Sequence, residues 1–149
     1  MENGCPVAQS EGLQVQSAVA LIRSLVEQAS EFAFAEERSG ARGGKVRIDR
    51  LPIGIALGIV PCNVPIFLAC LKLATALLTG CPVVLKPSPE NVDSMALFSR
   101  YLARMDLPTG AVNLVLGGRV LGDHLVRNDV FRKVSFTGCL LYTSDAADD

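Results

Sequence analysis

The sequence predicts an α/β fold, a Rossmann-like parallel sheet with flanking helices. Three observations carry that expectation. Residues 51–89 (LPIGIALGIVPCNVPIFLACLKLATALLTGCPVVLKPSP) hold two short apolar runs on either side of an apolar stretch of helical length. Strands and crossover helices buried on both faces read this way. Downstream, two further strand-like runs alternate with helical patterns, giving β-α-β-α-β-α-β. The connections are short, and such an alternation calls for parallel strands joined by right-handed crossovers.

Taken in order, residues 13–32 place Leu13, Val15, Ala18, Val19, Ile22, Leu25, Val26, Ala29 and Phe32 at helical spacing. Gln14, Arg23, Glu27 and Gln28 are left to face water. Residues 36–45 (EERSGARGGK) read as a charged, glycine-rich loop, and residues 46–50 as a short edge strand. The run 53–60 is a strand stopped by the turn Pro61-Cys62-Asn63-Val64-Pro65. A helix over 66–79 follows a proline suited to a first turn and ends at Gly80, a residue that tolerates a left-handed cap. Residues 82–86 form the next strand.

Beyond Pro87 and Pro89 the spacing predicts a helix over 91–105, with Asn91 as N-cap and Asp93 in the first turn. Met95, Phe98, Leu102 and Met105 make its buried stripe. Residues 112–116 are the third main strand. Gly117-Gly118 turns into a helix over 120–128, which carries His124 on its surface, and residues 133–137 are the fourth strand.

The chain has 149 residues, half of them hydrophobic and 19% charged, with a net charge of -1. That suits one globular domain with a real core, and it leaves no basic excess to suggest a nucleic-acid partner. The polar start, Met1-Glu2-Asn3-Gly4, gives no signal peptide. Residues 66–85 approach the length of a membrane span, but Lys72 at their middle and Gly80-Cys81-Pro82 argue for a helix, turn and strand. Five cysteines (Cys5, Cys62, Cys70, Cys81, Cys139) show no metal-site spacing, and their odd number points to reduced thiols in the cytoplasm. A single histidine leaves little room for His-based catalysis or metal ligation.

Four segments in order, I-V-P-C-N-V-P at 59–65 with the apolar helix after it, V-V-L-K-P-S at 83–88, L-P-T-G-A-V-N at 107–113 and V-S-F-T-G at 134–138, resemble the cofactor-binding domain of the aldehyde dehydrogenase superfamily. The resemblance runs from about Glu2 to Gly138. It divides the chain into an N-terminal helix and loop (1–45), a partial NAD(P)-binding domain (46–138) and a tail (139–149). It implies oxidation of a small-molecule aldehyde through a cysteine thiolate and a thiohemiacetal, with NAD or NADP as acceptor and a homo-oligomeric parent.

The same resemblance implies roles for particular residues. Asn63 would be the catalytic oxyanion donor; read from its position alone, it could equally cap the helix that follows. Ile59, Val60, Pro61, Asn63, Lys86, Ser88, Gly118, Gly122, Phe136, Thr137 and Gly138 would line the cofactor, Lys86 on the adenosine ribose. Pro89 stands where NAD-preferring relatives carry a glutamate, which leaves NAD or NADP open. Gly118 and Gly122 follow a strand and open a helix, a weak signal alone that gains from its distance to Phe136-Thr137-Gly138. Cys62 occupies the place of an aromatic residue and reads as a packed thiol. The nucleophile and the glutamate base are expected beyond Gly138. A free-standing nucleotide-binding module without catalysis is the rival expectation, and a non-functional fragment the second.

Residues 139–148 can be encoded by the transposon end and adapter of a widely used sequencing library. The tail is therefore expected to be non-native and is excluded from the fold.

Overall fold

The computed structural model describes residues 4–138, so the tail expected to be non-native lies outside the described residues. The described residues form two sheets. A four-stranded parallel sheet has the order β5-β4-β3-β6, built from β3 (Ile55–Ile59), β4 (Val83–Lys86), β5 (Val112–Leu114) and β6 (Phe131–Phe136). The helices α3 (Pro65–Leu78), α4 (Val92–Leu102) and α5 (Arg119–Val126) alternate with its strands. A separate antiparallel hairpin pairs β1 (Ala35–Ser39) with β2 (Lys45–Asp49).

The core lies where the sequence is most apolar. Ala56 and Val60 of the β3 run, Val83 and Leu85 of β4, and Ala69 and Leu73 of α3 form one buried cluster. Phe98 and Leu102 of α4 pack against it. β3 and β4 are almost wholly apolar or glycine, which suits burial, and α3 covers the face of Ala56, Val60, Val83 and Leu85 while α5 also packs on β3. Gly80 ends the α3 connection at φ +73°, the left-handed conformation that a Cβ would strain. Among the described residues, no helix is long and apolar enough to cross a membrane.

Several expectations need correction. The charged segment 36–45 is a hairpin whose turn is made by residues 40–44, with Gly43 and Gly44 at positive φ. Cross-strand charge pairs such as Lys45–Glu37 stabilise strands that composition alone reads as loop. The N-terminal helix starts earlier, as an α-helical turn α1 (Val7–Gln9) and a π-helical segment (Ser10–Gln16) that lead into α2 (Ser17–Glu31). Its exposed positions include Leu13, Val15, Val19, Ile22 and Val26, and Phe32 just after it is exposed too, whereas Gln14, expected in water, is buried. Burial here follows the face packed on α3, which Gln14 and Ala18 share. Met105 falls beyond α4 and is exposed. Asn91 occupies the N-cap of α4 but makes no side-chain cap bond. Its amide is buried behind the preceding 3-10 turn (Pro89–Asn91) with neither polar atom bonded.

Candidate functional site

Sequence order and spatial order diverge at β3. The chain builds β3, β4 and β5 outward in one direction, then returns to lay β6 on the other side of β3. In parallel α/β sheets, the crevice beyond the carboxyl ends at such a reversal is where ligands bind. Here that edge is formed by Ile59, which is in register with Lys86 on one side and Phe136 on the other. The amide of Val60 donates to the Lys86 carbonyl (3.1 Å), and that of Thr137 to the Ile59 carbonyl (3.1 Å). Ile59, Val60, Lys86, Phe136 and Thr137 are thus brought together. Pro61 and Asn63 continue from β3, and Gly138 from β6.

Lys86 is nearly fully buried at the end of β4. Its ammonium donates to the carbonyl oxygens of Gly117 (2.8 Å) and Pro87 (3.2 Å). Burial pushes its pKa down, partly offset by the Glu90 carboxylate. A Cβ on Gly122 would lie 3.1 Å from Lys86 Cε, so the glycine lets α5 close onto the lysine stem. A Cβ on Gly118, the N-cap residue of α5, would meet nothing within 4 Å, which leaves the start of that helix open. Ser88 donates to the Glu90 carboxylate, whose pKa is held below the usual range chiefly by that bond. A carboxylate therefore stands one residue past Pro89.

Asn63 is exposed on the turn after β3, and its Oδ1 accepts from the amide of Val64 (2.9 Å). It does not occupy the cap position. Helix α3 begins at Pro65, so the N-cap is Val64 (φ −134°, ψ 59°), and no side chain there bonds the helix. The acceptor comes from Gln14, whose Oε1 receives the Ile66 amide (3.2 Å).

Two site residues escaped the sequence reading. Lys72, on α3, reaches across β3 and donates to Ser135 Oγ (2.9 Å) and Thr137 Oγ1 (3.0 Å) on the strand at the reversal. Burial lowers its pKa. Gly58 makes room, since a Cβ there would sit 3.3 Å from Lys72 Cδ. The available signal was a lone charge in an otherwise apolar helix, which served only to argue against a membrane span. Gln14 gave no signal beyond its place in a helical pattern. Among the described residues, no group of His, Cys, Asp and Glu could hold a metal ion.

Comparison with known proteins agrees with this geometry. Residues 1–141 match the family described as "Aldehyde dehydrogenase family". The geranial dehydrogenase of Castellaniella defragrans is 35% identical over 138 residues, covering 93% of this chain and 29% of the relative. The lactaldehyde dehydrogenase of Escherichia coli is 32% identical over 139 residues, with 93% and 29% covered. Among solved structures, a Mycobacterium tuberculosis aldehyde dehydrogenase complexed with NAD+ superposes with a TM-score of 0.89 at 31% identity, covering 98% of this chain and 30% of that one. An NADP-dependent glyceraldehyde-3-phosphate dehydrogenase from Bacillus halodurans, complexed with NADP, gives 0.87 at 30%, covering 99% and 32%. The chain spans 29% of the length of each of these two curated relatives.

Proposed function

The chain belongs to the aldehyde dehydrogenase family, and from that premise we propose that its parent protein oxidises an aldehyde to a carboxylic acid with NAD or NADP. In this reading the chain supplies the cofactor edge and the oxyanion donor. The observation that supports it most is the convergence of Ile59, Lys86 and Phe136 on adjacent strand ends at the reversal of strand order.

The residues present fit a dinucleotide. Gly118 leaves open space at the start of α5, and Gly122 closes on Lys86. An ammonium has three protons, and the carbonyls of Pro87 and Gly117 take two of Lys86's, leaving one for a ribose hydroxyl. Ser88, Ile59, Val60 and Pro61 would flank the adenosine side, and Phe136, Thr137 and Gly138 the pyrophosphate and nicotinamide. Lys72 fixes the Thr137 hydroxyl, and so the loop that would face the nicotinamide. A nicotinamide held there would supply the hydride acceptor.

The protein's own part is the carbonyl. In the parent protein, a cysteine thiolate from outside this chain would add to the aldehyde to give a thiohemiacetal. The negative charge that develops on the carbonyl oxygen needs a donor set in advance, and the Asn63 amide is suited to supply it. Loss of hydride would then leave a thioester, which water, activated by a glutamate also outside this chain, would convert to the acid. Family membership supports a homo-oligomer. The four described cysteines, none in a disulfide, suit the cytoplasm.

The test is Asn63→Ala in the full-length enzyme. It should lower kcat by about 10²–10³-fold, the usual loss of one such donor, and change cofactor affinity little, because Lys86 and the glycine turn remain. Unaltered turnover would remove Asn63 from the chemistry.

A further inference from the structure

The turn between β3 and α3 has to hold Asn63 still, yet it has no cap of its own. Val64 occupies the cap position, and although its carbonyl accepts the Leu68 amide (3.1 Å), its side chain offers the helix no polar atom. What fixes the turn comes from far away in sequence. Gln14 Nε2 donates to the Asn63 carbonyl (3.1 Å), and Gln14 Oε1 accepts from the Ile66 amide (3.2 Å). One planar carboxamide therefore grips both ends of the turn 63–66. Gln14 is 5% exposed, and both ends of its amide are satisfied, the condition under which a buried polar side chain adds specificity of geometry.

The segment that delivers it is unusual. Ser10–Gln16 is π-helical, a conformation found mostly as single turns and often at functional sites, and Gln14 is its buried residue. Leu13 and Val15 on either side of it are exposed. The helix turns a carboxamide inward and leaves its apolar neighbours outside, the reverse of what packing alone favours.

We propose that Gln14 is a positioning residue for Asn63: its side-chain amide clamps the Asn63 carbonyl and the Ile66 amide together, and so sets where the Asn63 side chain donates. The proposal rests on the oxyanion reading of Asn63. A donor aimed at a developing charge loses its effect over displacements of about 1 Å, which can cost about a hundredfold in rate.

The test is a double-mutant cycle in the full-length enzyme. Gln14→Met, which keeps length and removes both bonds, should lower kcat by about ten- to a hundredfold. Aldehyde KM and cofactor Kd should hold. In an Asn63→Ala background the same change should cost nothing further, because the donor it positions is already gone. Gln14→Glu guards against simple unfolding. It keeps an acceptor for the Ile66 amide where a negative charge suits a helix start. It also sets a carboxylate oxygen against the Asn63 carbonyl in a buried site, so the thermal midpoint should drop, and kcat is read well below it, where the variant is folded. It removes the donor to the Asn63 carbonyl, so kcat should still fall. Equal losses in both backgrounds, or a Gln14→Glu enzyme with full turnover, would overturn the proposal and leave Gln14 as a helix cap. If Asn63→Ala itself leaves kcat intact, the oxyanion reading fails and takes this proposal with it; if Asn63→Ala is impaired while Gln14→Met is not, only the positioning role fails.

Discussion

In the two strands of the hairpin, β1 and β2, every residue is exposed except Glu36 and its cross-strand partner Ile48, which are half-buried. In the neighbouring parallel sheet the pattern inverts, and β3 has four buried residues out of five. The hairpin is laced by ion pairs, Lys45–Glu37, Arg47–Asp49, and Glu36 with both Arg38 and Arg50. At the sheet two buried lysines face neutral acceptors, Lys72 of α3 on hydroxyls and Lys86 of β4 on carbonyls. Charge is abundant where it contributes little and scarce where it is costly. The difference separates a part that can tolerate substitution from a part that fixes the site.

The largest effect should come from the sheet. Leu85 is fully buried, with its Cδ1 against Gly58 and its backbone pairing both β3 and β5. Leu85→Ala should destabilise the full-length protein by about 3 kcal/mol, the middle of the range for buried leucines. A denaturant titration giving less than about 1 kcal/mol would mean the core relaxes into the gap, and the contrast with the hairpin would collapse.

Lys72 sharpens the contrast through pH. Burial holds its folded-state pKa below the ordinary lysine value. Between that depressed pKa and the unfolded value of about 10.4, the unfolded chain binds more protons, so stability rises with pH across the window. Lys72→Met should flatten this alkaline rise in part. Lys86, depressed for the same reason, keeps the remainder. The check is the urea midpoint at neutral and alkaline pH, for wild type and variant. An unchanged slope would mean the Lys72 ammonium is solvated.

These two regions also explain what could be read in advance. Burial on both faces leaves an unbroken apolar run, so β3, α3 and β4 are plain in the sequence, as are Lys86 and Asn63 once the motifs are set in order. The hairpin is only half visible: β2 alternates charge with Val46 and Ile48 and reads as a strand, whereas β1 runs charge after charge, and only cross-strand register, Glu37 opposite Arg47 and Ser39 opposite Lys45, makes it a partner. Lys72 and Gln14 hide for another reason. Each acts through tertiary contacts, Lys72 with a strand more than sixty positions on and Gln14 with a turn about fifty positions on. Helical spacing places Gln14 beside Ala18, but nothing in one helix says what packs against that face. Two caps that the sequence suggested are withheld by the fold: Asn63 stands one residue before the cap position of α3, and the Asn91 amide is buried without a hydrogen-bond partner.

The smallest effect belongs to the hairpin surface. Lys45 and Glu37 are largely exposed, so Lys45→Ala should change stability by about 0.5 kcal/mol or less. Glu36 is the more informative member, because two arginines share it. Its carboxyl is held below the usual pKa, first by Arg50 and then by Arg38. A carboxylate depressed on folding stabilises above its unfolded pKa, and that contribution is lost as pH falls through the folded value. Protection of the Arg50 amide, which donates to the Phe34 carbonyl at 2.7 Å where the hairpin closes, should therefore weaken in acid. Glu36→Gln should show the weaker protection already at neutral pH and lose the acid dependence. Amides of β3 should keep their protection in both proteins. Hydrogen exchange followed residue by residue reads both regions at once, and loss of β3 protection alongside the hairpin's would show that the two sheets open together.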